Sequence, residues 1–223
     1  FSQEILRIRD QVRAASIQST SAFWRLILVH YFGCMSHAIV IVYIIPIAVL
    51  SGVGPLAAAG VLSTLALVSA ITRFLTPVLA DHFEPRGTMA VMYVLQGLPV
   101  LMLFWTNDTW TFYLFAVVFG IGYGGEGSAF PIINRRYYGE GSLGRAFGWQ
   151  LSGAMLGMAT GGWIGGVLFG FFGDYSMTIT LSVAASLVGA VIIMSMDRTD
   201  RILILDGENK LPEEARSAPV AGN

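Results

Sequence analysis

The stretch RFLTPVLAD, residues 73–81, places an arginine eight residues ahead of an aspartate in a run that is otherwise almost wholly apolar. An ionised side chain at the centre of a bilayer-spanning helix costs roughly 2.5–3.5 kcal/mol, so it usually faces a cavity or a charged partner. We place Arg73 about 9 Å inside the apolar stretch, at 1.5 Å per helical residue. The stretch therefore raises two questions: which structure surrounds Arg73, and what it binds.

The composition of the whole chain is that of a polytopic membrane protein. Of the 223 residues, 55% are hydrophobic and 12% are charged, whereas a soluble domain carries about 25% charged residues. The net charge of −1 offers no basic surface for nucleic acid, and the single cysteine, Cys34, excludes an internal disulfide. No cofactor or metal ligand set is predicted. Because the sequence begins at Phe1 rather than Met, we expect a fragment of a longer chain.

Six apolar stretches reach the length of about 20 residues that a bilayer-spanning helix needs. Their approximate ranges are 24–50, 55–79, 88–106, 110–132, 146–171 and 176–196. None alternates with the period of two that a membrane β-barrel strand requires. We therefore predict an all-α membrane protein with a six-helix transmembrane bundle over residues 24–196.

The cations indicate the orientation of this bundle. Twelve of the thirteen lysines and arginines precede the first span or lie at its start, follow the sixth, or lie in the second-to-third and fourth-to-fifth connections. Under the positive-inside rule, both termini and these two loops are cytoplasmic. The thirteenth cation is Arg73. The sequence thus predicts an integral, multi-pass protein of a plasma or inner membrane.

The two flanking segments differ from the bundle. In the linker 1–23, Phe1, Ile5, Ile8 and Val12 recur at helical spacing, which fits either an amphipathic helix on the inner membrane surface or a solvated linker. The tail 197–223 is polar, and we predict that it is disordered and cytoplasmic.

Two acid–base groups accompany Arg73 inside the spans. Glu126 on the fourth span lies at a depth similar to that of Arg73. Arg73 either forms a structural ion pair or extends to the headgroups, or it holds an anion that Glu126 replaces when the site is empty. His37, near the middle of the first span, is either a proton carrier or a neutral histidine bonded to a backbone carbonyl.

Hydroxyl groups on the same helices complete the candidate site. Tyr43, Tyr123 and Ser128 lie on the spans of His37 and Glu126 and could orient a carboxylate. Spans three and six carry no charged residue, which is typical of supporting, lipid-facing helices. We therefore predict that spans one, two, four and five line a pathway.

Glycines recur in two of the spans. A four-residue spacing in the fifth span predicts a ridge that another helix approaches closely, formed by Gly153, Gly157, Gly161 and Gly165. The fourth span contains GIGYGGEGSAFP, residues 120–131, with five glycines around Glu126 and a proline just after it. This composition weakens a helix and predicts a bend close to the charged residue.

The stretch RFLTPVLADHFEPRG, residues 73–87, resembles a loop signature of the major facilitator superfamily, loosely G-x-L-A-D-R-x-G-R. The matching residues are Leu79, Ala80, Asp81 and Arg86. The resemblance implies that Asp81, with Arg86, latches neighbouring helix ends in one conformation, against the start of the fifth span near Arg145. It also implies six helices arranged as a 3+3 inverted repeat, which form the carboxy-terminal half of the fold and pair with an amino-terminal six-helix half.

Within the superfamily, the chain resembles the monocarboxylate transporter and oxalate–formate antiporter group. Arg73 has the register of that group's substrate-binding arginine, and residues 127–148 and 161–175 resemble its tenth and eleventh helices. Two departures matter. Ser69 replaces an aspartate that monocarboxylate transporters carry one turn before the arginine, so coupling would pass to Glu126 or His37. No lysine precedes Lys210, which disfavours a dicarboxylate as cargo.

These observations predict half of a secondary active transporter, not an enzyme. Its cargo would be a small organic anion, a monocarboxylate rather than a dicarboxylate, moved by alternating access with proton coupling or by exchange. The alternative is a stand-alone six-helix oligomeric channel or membrane scaffold. An intramembrane serine protease is disfavoured because all three histidines precede Ser128, whereas that chemistry uses a histidine on a later helix.

Overall fold

The computed structural model describes residues 3–139, 143–199 and 202–203, and within them every regular element is helical. The elements are α1 Gln3–Gln18, α2 Ser21–Leu50, α3 Pro55–His82, α4 Pro85–Gly97 with its 3₁₀ continuation Leu98–Phe104, α5 Thr109–Tyr138, α6 Gly144–Phe172 and α7 Ser176–Met194. Except for α1, each is long and apolar enough to cross a membrane. The predicted all-α class and the six spans are confirmed.

The helices extend beyond the apolar stretches that reveal them in the sequence. Hydropathy marks the part of a helix suited to lipid, whereas the helix ends where the backbone is capped. α3 continues to His82, just before the N-cap Glu84 and Pro85 that begin α4. α5 continues to Tyr138 and ends at Gly139, whose φ of +74° favours glycine.

Helix packing in the bundle has an internal symmetry. The largest contacts join α2 to α6 and α3 to α5, followed by α2 to α7, α4 to α5 and α4 to α7. The symmetry appears when α2, α3 and α4 are exchanged, in that order, with α5, α6 and α7. The α2–α6 contact then becomes the α5–α3 contact, and the α2–α7 contact becomes the α5–α4 contact. The α4–α7 contact stays the same. Because each set has three spans, the second set starts at the opposite membrane face. This is the arrangement of a 3+3 inverted repeat.

The glycine ridge of α6 lies against α2. A Cβ atom on Gly157 would clash with the carbonyl oxygen of Tyr31, and one on Gly161 would clash with that of Met35. At the two ends of the ridge, the Cβ of Gly153 would come within 2.9 Å of Ile27, and that of Gly165 would meet the ring of Tyr43. The missing side chains therefore allow near backbone-to-backbone contact of the two helices.

The glycines of α5 provide the symmetry-related contact and do not break the helix. A Cβ on Gly120 would lie 2.9 Å from the carbonyl oxygen of Leu65, and one on Gly124 would clash with the backbone of Ser69, both on α3. Gly122 meets the backbone of α4 in the same way. α5 is one uninterrupted helix, so these glycines act through close packing with neighbours on two sides.

The amino-terminal segment forms a helix that contacts the bundle. Ala14 and Ile17 of α1 are buried, and Arg13 Nη2 donates a 2.5 Å hydrogen bond to the carbonyl oxygen of Tyr138 at the end of α5. Partial burial lowers the pKa of Arg13 below its usual value. The placement of α1 on the inner membrane surface stays a prediction. Most of the tail 197–223 lies outside the described residues.

Candidate functional site

A cavity of about 390 Å³ lies among α2, α3, α5 and α6, the four spans that the sequence assigns to a pathway. It brings together five of the predicted site residues: His37, Arg73, Tyr123, Glu126 and Ser128. The opposite wall is apolar and is formed by α6, with residues that include Leu151, Met155 and Met158. The cavity thus combines one polar wall and one apolar wall.

Glu126 is the most deeply placed charged group of the site, with only 2% of its surface exposed. Its Oε2 lies 3.2 Å from Nδ1 of His37, and its Oε1 lies 3.2 Å from the hydroxyl of Tyr93 on α4. A Cβ on Gly33 of α2 would clash with both Glu126 and Tyr93, so this glycine makes room for their approach. A carboxylate at this depth is costly unless such partners satisfy it.

The hydrogen bonds around Tyr93 bear on the protonation of Glu126. The hydroxyl of Tyr93 carries one proton and lies 2.8 Å from the carbonyl oxygen of Val29, closer than its 3.2 Å to Glu126 Oε1. When that proton bonds to Val29, the contact with Oε1 is a hydrogen bond only if Glu126 itself carries a proton. The geometry therefore accommodates both a protonated Glu126 and an ionised Glu126 paired with His37.

Arg73 joins this pair through an aromatic ring. Its guanidinium carbon lies 5.3 Å from the ring centroid of Tyr123, within the range of a cation–π interaction. The same ring lies 4.7 Å from the ring of His37. Among the described residues, no carboxylate lies within 4.0 Å of Arg73, because Glu126 pairs with His37 instead. Arg73 is exposed.

The structure separates the two remaining hydroxyl candidates. Ser128 lines the cavity, and its hydroxyl lies within 3.3 Å of the carbonyl oxygens of Arg73 and Gly124. Tyr43 lies outside the cavity, and its hydroxyl donates a 2.5 Å hydrogen bond to the carbonyl oxygen of Gly162 on α6. Tyr43 therefore supports the α2–α6 contact, and no substrate contact is proposed for it.

Comparison with known protein families gives a clear match. The family model of the Major Facilitator Superfamily matches residues 26–217. The chain belongs to the major facilitator superfamily. Members of this superfamily are membrane transporters that carry small molecules and are embedded in lipid, so this is a multi-pass membrane transporter. A search of curated proteins found no match.

Two of the transporter's predicted latch residues, Asp81 and Arg145, form no ion pair with each other. Asp81, at the end of α3, lines a second cavity of about 620 Å³ together with Arg135 and Arg136 of α5. Arg145, in the first turn of α6, is exposed, and its side chain makes no hydrogen bond or ion pair with any described residue. The basic neighbours of Asp81 in this conformation are thus on α5, and its latch role stays a prediction.

The third residue of the predicted latch, Arg86, caps a helix of the transporter. Its Nε lies 3.2 Å from Glu84 Oε1, and its Nη1 donates a hydrogen bond to the carbonyl oxygen of Met196. It also reaches the carbonyl oxygen of Met194, the last residue of α7, at 3.4 Å. A cation at a helix C-terminus satisfies free carbonyl groups and interacts favourably with the helix dipole.

The sequence analysis did not identify the uncharged polar side chains that pack around the site. Tyr93 and Gln96 of α4 are completely buried, and Gln96 Nε2 donates a 3.1 Å hydrogen bond to the carbonyl oxygen of Gly33. The lipid-facing placement predicted for span three does not hold for this face of α4, which contacts α2 and α5. Asn134 and Gln150 join α5 to α6 by two 2.8 Å hydrogen bonds between their amides. The only sign of these groups in the sequence was that side-chain amides occur within apolar spans.

Proposed function

We propose that the chain is the carboxy-terminal half of a secondary active transporter that moves a small organic anion, preferably a monocarboxylate. Together with an amino-terminal six-helix half, the bundle would rock around a central site by alternating access. Exposed apolar residues on α3 next to Arg73, among them Leu67, Ile71 and Phe74, offer a surface for such packing. Both termini and the basic loops would face the cytoplasm, as the cation distribution predicts.

The observation that carries the anion proposal is the position of Arg73. Among the described residues that line the 390 Å³ cavity, it is the only one with a permanent positive charge. A guanidinium binds a carboxylate through two parallel hydrogen bonds. The apolar α6 wall, with Leu151 and Met155, suits an alkyl or aryl tail on the same molecule. One cation beside an apolar wall favours a monocarboxylate over a dicarboxylate.

The proposed coupling group is the pair of His37 and Glu126. Ser69 occupies the position where the resembled monocarboxylate transporters have an aspartate, and its hydroxyl donates to the carbonyl oxygen of Ala66. That position therefore supplies no titratable group. His37 of the pair contacts one side chain, Tyr123, that Arg73 also contacts. An anion bound at Arg73 would therefore act on the pair through the ring of Tyr123. A nearby negative charge favours protonation of a carboxylate or imidazole.

The direct experiment measures uptake of labelled monocarboxylates into liposomes that contain the complete protein. Arg73→Ala removes the charge, and Arg73→Lys keeps the charge but loses the bidentate geometry. We expect uptake by Arg73→Ala at the level of protein-free liposomes and strongly reduced uptake by Arg73→Lys. The matched control is Arg7→Ala, which removes an exposed arginine of α1 outside the spans. Wild-type uptake by both Arg73 variants would rule out the anion-binding role.

A further inference from the structure

Three potential metal ligands meet on the polar wall of the cavity. The ligand atoms of Cys34, His37 and Glu126 all lie within 4.8 Å of one another, and all three residues are buried. Cys34 and His37 lie three residues apart on α2 and therefore share a helix face. Glu126 is brought in from α5. A sulfur, a nitrogen and an oxygen are thereby gathered at a spacing that could hold one metal ion.

A fourth residue supports this site independently. His30 lies one turn before Cys34 on the same face of α2 and lines the same cavity. Only 7% of its surface is exposed, and its Nδ1 has no hydrogen-bond partner among the described residues. Its ring stacks on Phe130 with a centroid separation of 3.8 Å. Buried polar atoms are nearly always paired, so this nitrogen lacks a partner that a ligand in the cavity could supply.

We propose that this cluster binds a divalent cation of the zinc class through Cys34 Sγ, His37 and Glu126, with His30 beside them in the same cavity. Thiolate and imidazole ligands favour zinc-like ions, whereas magnesium and calcium prefer sites made of oxygen atoms alone. Three protein ligands match a tetrahedral zinc site whose fourth position is taken by water. On binding, the thiol proton of Cys34 leaves to solvent, and the cation replaces the hydrogen bond between His37 and Glu126.

The consequence is a transporter that such a cation inhibits. A bound ion occupies the wall opposite α6 and prevents Glu126 and His37 from exchanging protons. The metal site itself depends on neither the nature of the cargo nor the role of Arg73, whereas the inhibition rests on the proposed coupling function of His37 and Glu126.

The test uses cobalt as a spectroscopic substitute for zinc. Co²⁺ is titrated into the complete protein in detergent micelles, and absorption is recorded in the near-ultraviolet and visible regions. We expect a thiolate-to-cobalt charge-transfer band together with the intense visible bands of tetrahedral cobalt, both removed by added Zn²⁺. Cys34→Ser and Cys34→Ala should abolish the charge-transfer band, which ties it to this thiol. Glu126→Gln should weaken Zn²⁺ binding by at least about 100-fold and His30→Ala by about 10-fold, judged against the losses known for ligand-supporting groups.

Arg73→Ala is the control that separates the metal-site proposal from the anion proposal. Arg73 lines the cavity but is not one of the proposed metal ligands. This variant should lose anion uptake and keep the cobalt spectrum. Thermal unfolding of each variant identifies any that fail to fold. One folded Cys34 variant, Cys34→Ser or Cys34→Ala, is enough to assign the charge-transfer band. A cobalt spectrum unchanged in a folded Cys34 variant, or no charge-transfer band in the wild-type protein, would overturn the metal site and leave the anion proposal intact.

Discussion

At the residue scale, Glu126 shows how the bundle keeps an acidic group away from water. The carboxyl group has a histidine on one oxygen and a tyrosine hydroxyl near the other, both at 3.2 Å. The tyrosine comes from α4 and the histidine from α2, so three helices meet at this side chain. The coupling role proposed for Glu126 rests on these two contacts.

Replacing Glu126 with glutamine tests that function directly. Glutamine preserves the shape and can accept from Tyr93, but it cannot bind or release a proton. We expect Glu126→Gln to lose uptake driven by an inward proton gradient while it retains exchange of labelled for unlabelled anion at equal pH. The measurement compares both modes in liposomes, with Glu4→Gln, an exposed glutamate of α1, as the control. Retention of gradient-driven uptake by Glu126→Gln would remove the carboxylate from the coupling mechanism.

The sequence identified the charged half of this site but not its supports. Arg73, His37 and Glu126 are conspicuous because ionisable groups are rare in spans, and rarity alone picks them out. Gly33 and Tyr93 are ordinary membrane residues in the sequence, and their importance arises from one close approach between α2, α4 and α5. The pairing of Glu126 with His37, and not with Arg73, likewise depends on helix rotation, which span depth does not determine.

At the element scale, the α2–α6 contact is set by the absence of side chains on one ridge of α6. The four-residue glycine spacing was visible in the sequence, whereas the partner helix was not, because any smooth helix could dock there. For α5, the glycine content predicts a bend, and this stays a prediction. The helix is continuous from Thr109 to Tyr138, since packing against α3 and α4 outweighs the low intrinsic propensity of glycine.

Two glycines of α6 provide a matched test of this contact. A Cβ on Gly157 would meet the carbonyl oxygen of Tyr31, which is backbone and cannot rotate away, whereas a Cβ on Gly170 would have no neighbour within 4 Å. We expect Gly157→Ala to destabilise the protein by about 1–3 kcal/mol through overpacking. Gly170→Ala should be neutral or stabilising, by up to about 1 kcal/mol, because alanine favours helix.

The comparison is made by thermal unfolding of the two purified variants and the parent in the same detergent. A lower midpoint for Gly157→Ala together with an equal or higher midpoint for Gly170→Ala supports the close contact. Equal midpoints for all three proteins would show that α6 does not approach α2 this closely.

At the scale of the whole molecule, the symmetry of helix contacts explains where the cavity forms. α2 and α5 are symmetry-related and are the two most buried spans, while α3 and α6, also related, are the least buried. The polar groups lie on the first pair and on α3, so the cavity opens among these four helices. The sequence showed six spans, but the inverted repeat came only from resemblance, because hydropathy does not record which helices touch.

The orientation of the whole bundle is the last prediction. Ala15 on α1 and Asn107, which precedes α5, are both exposed and lie at opposite ends of the bundle, since three spans, α2, α3 and α4, separate them along the chain. The cation distribution predicts that Ala15 is cytoplasmic. In intact cells, a membrane-impermeant maleimide should label Asn107→Cys, and it should label Ala15→Cys only after permeabilisation. The parent protein, whose Cys34 is buried, gives the background. The reverse pattern would invert the topology and place the Asp81 end of the bundle outside the cell.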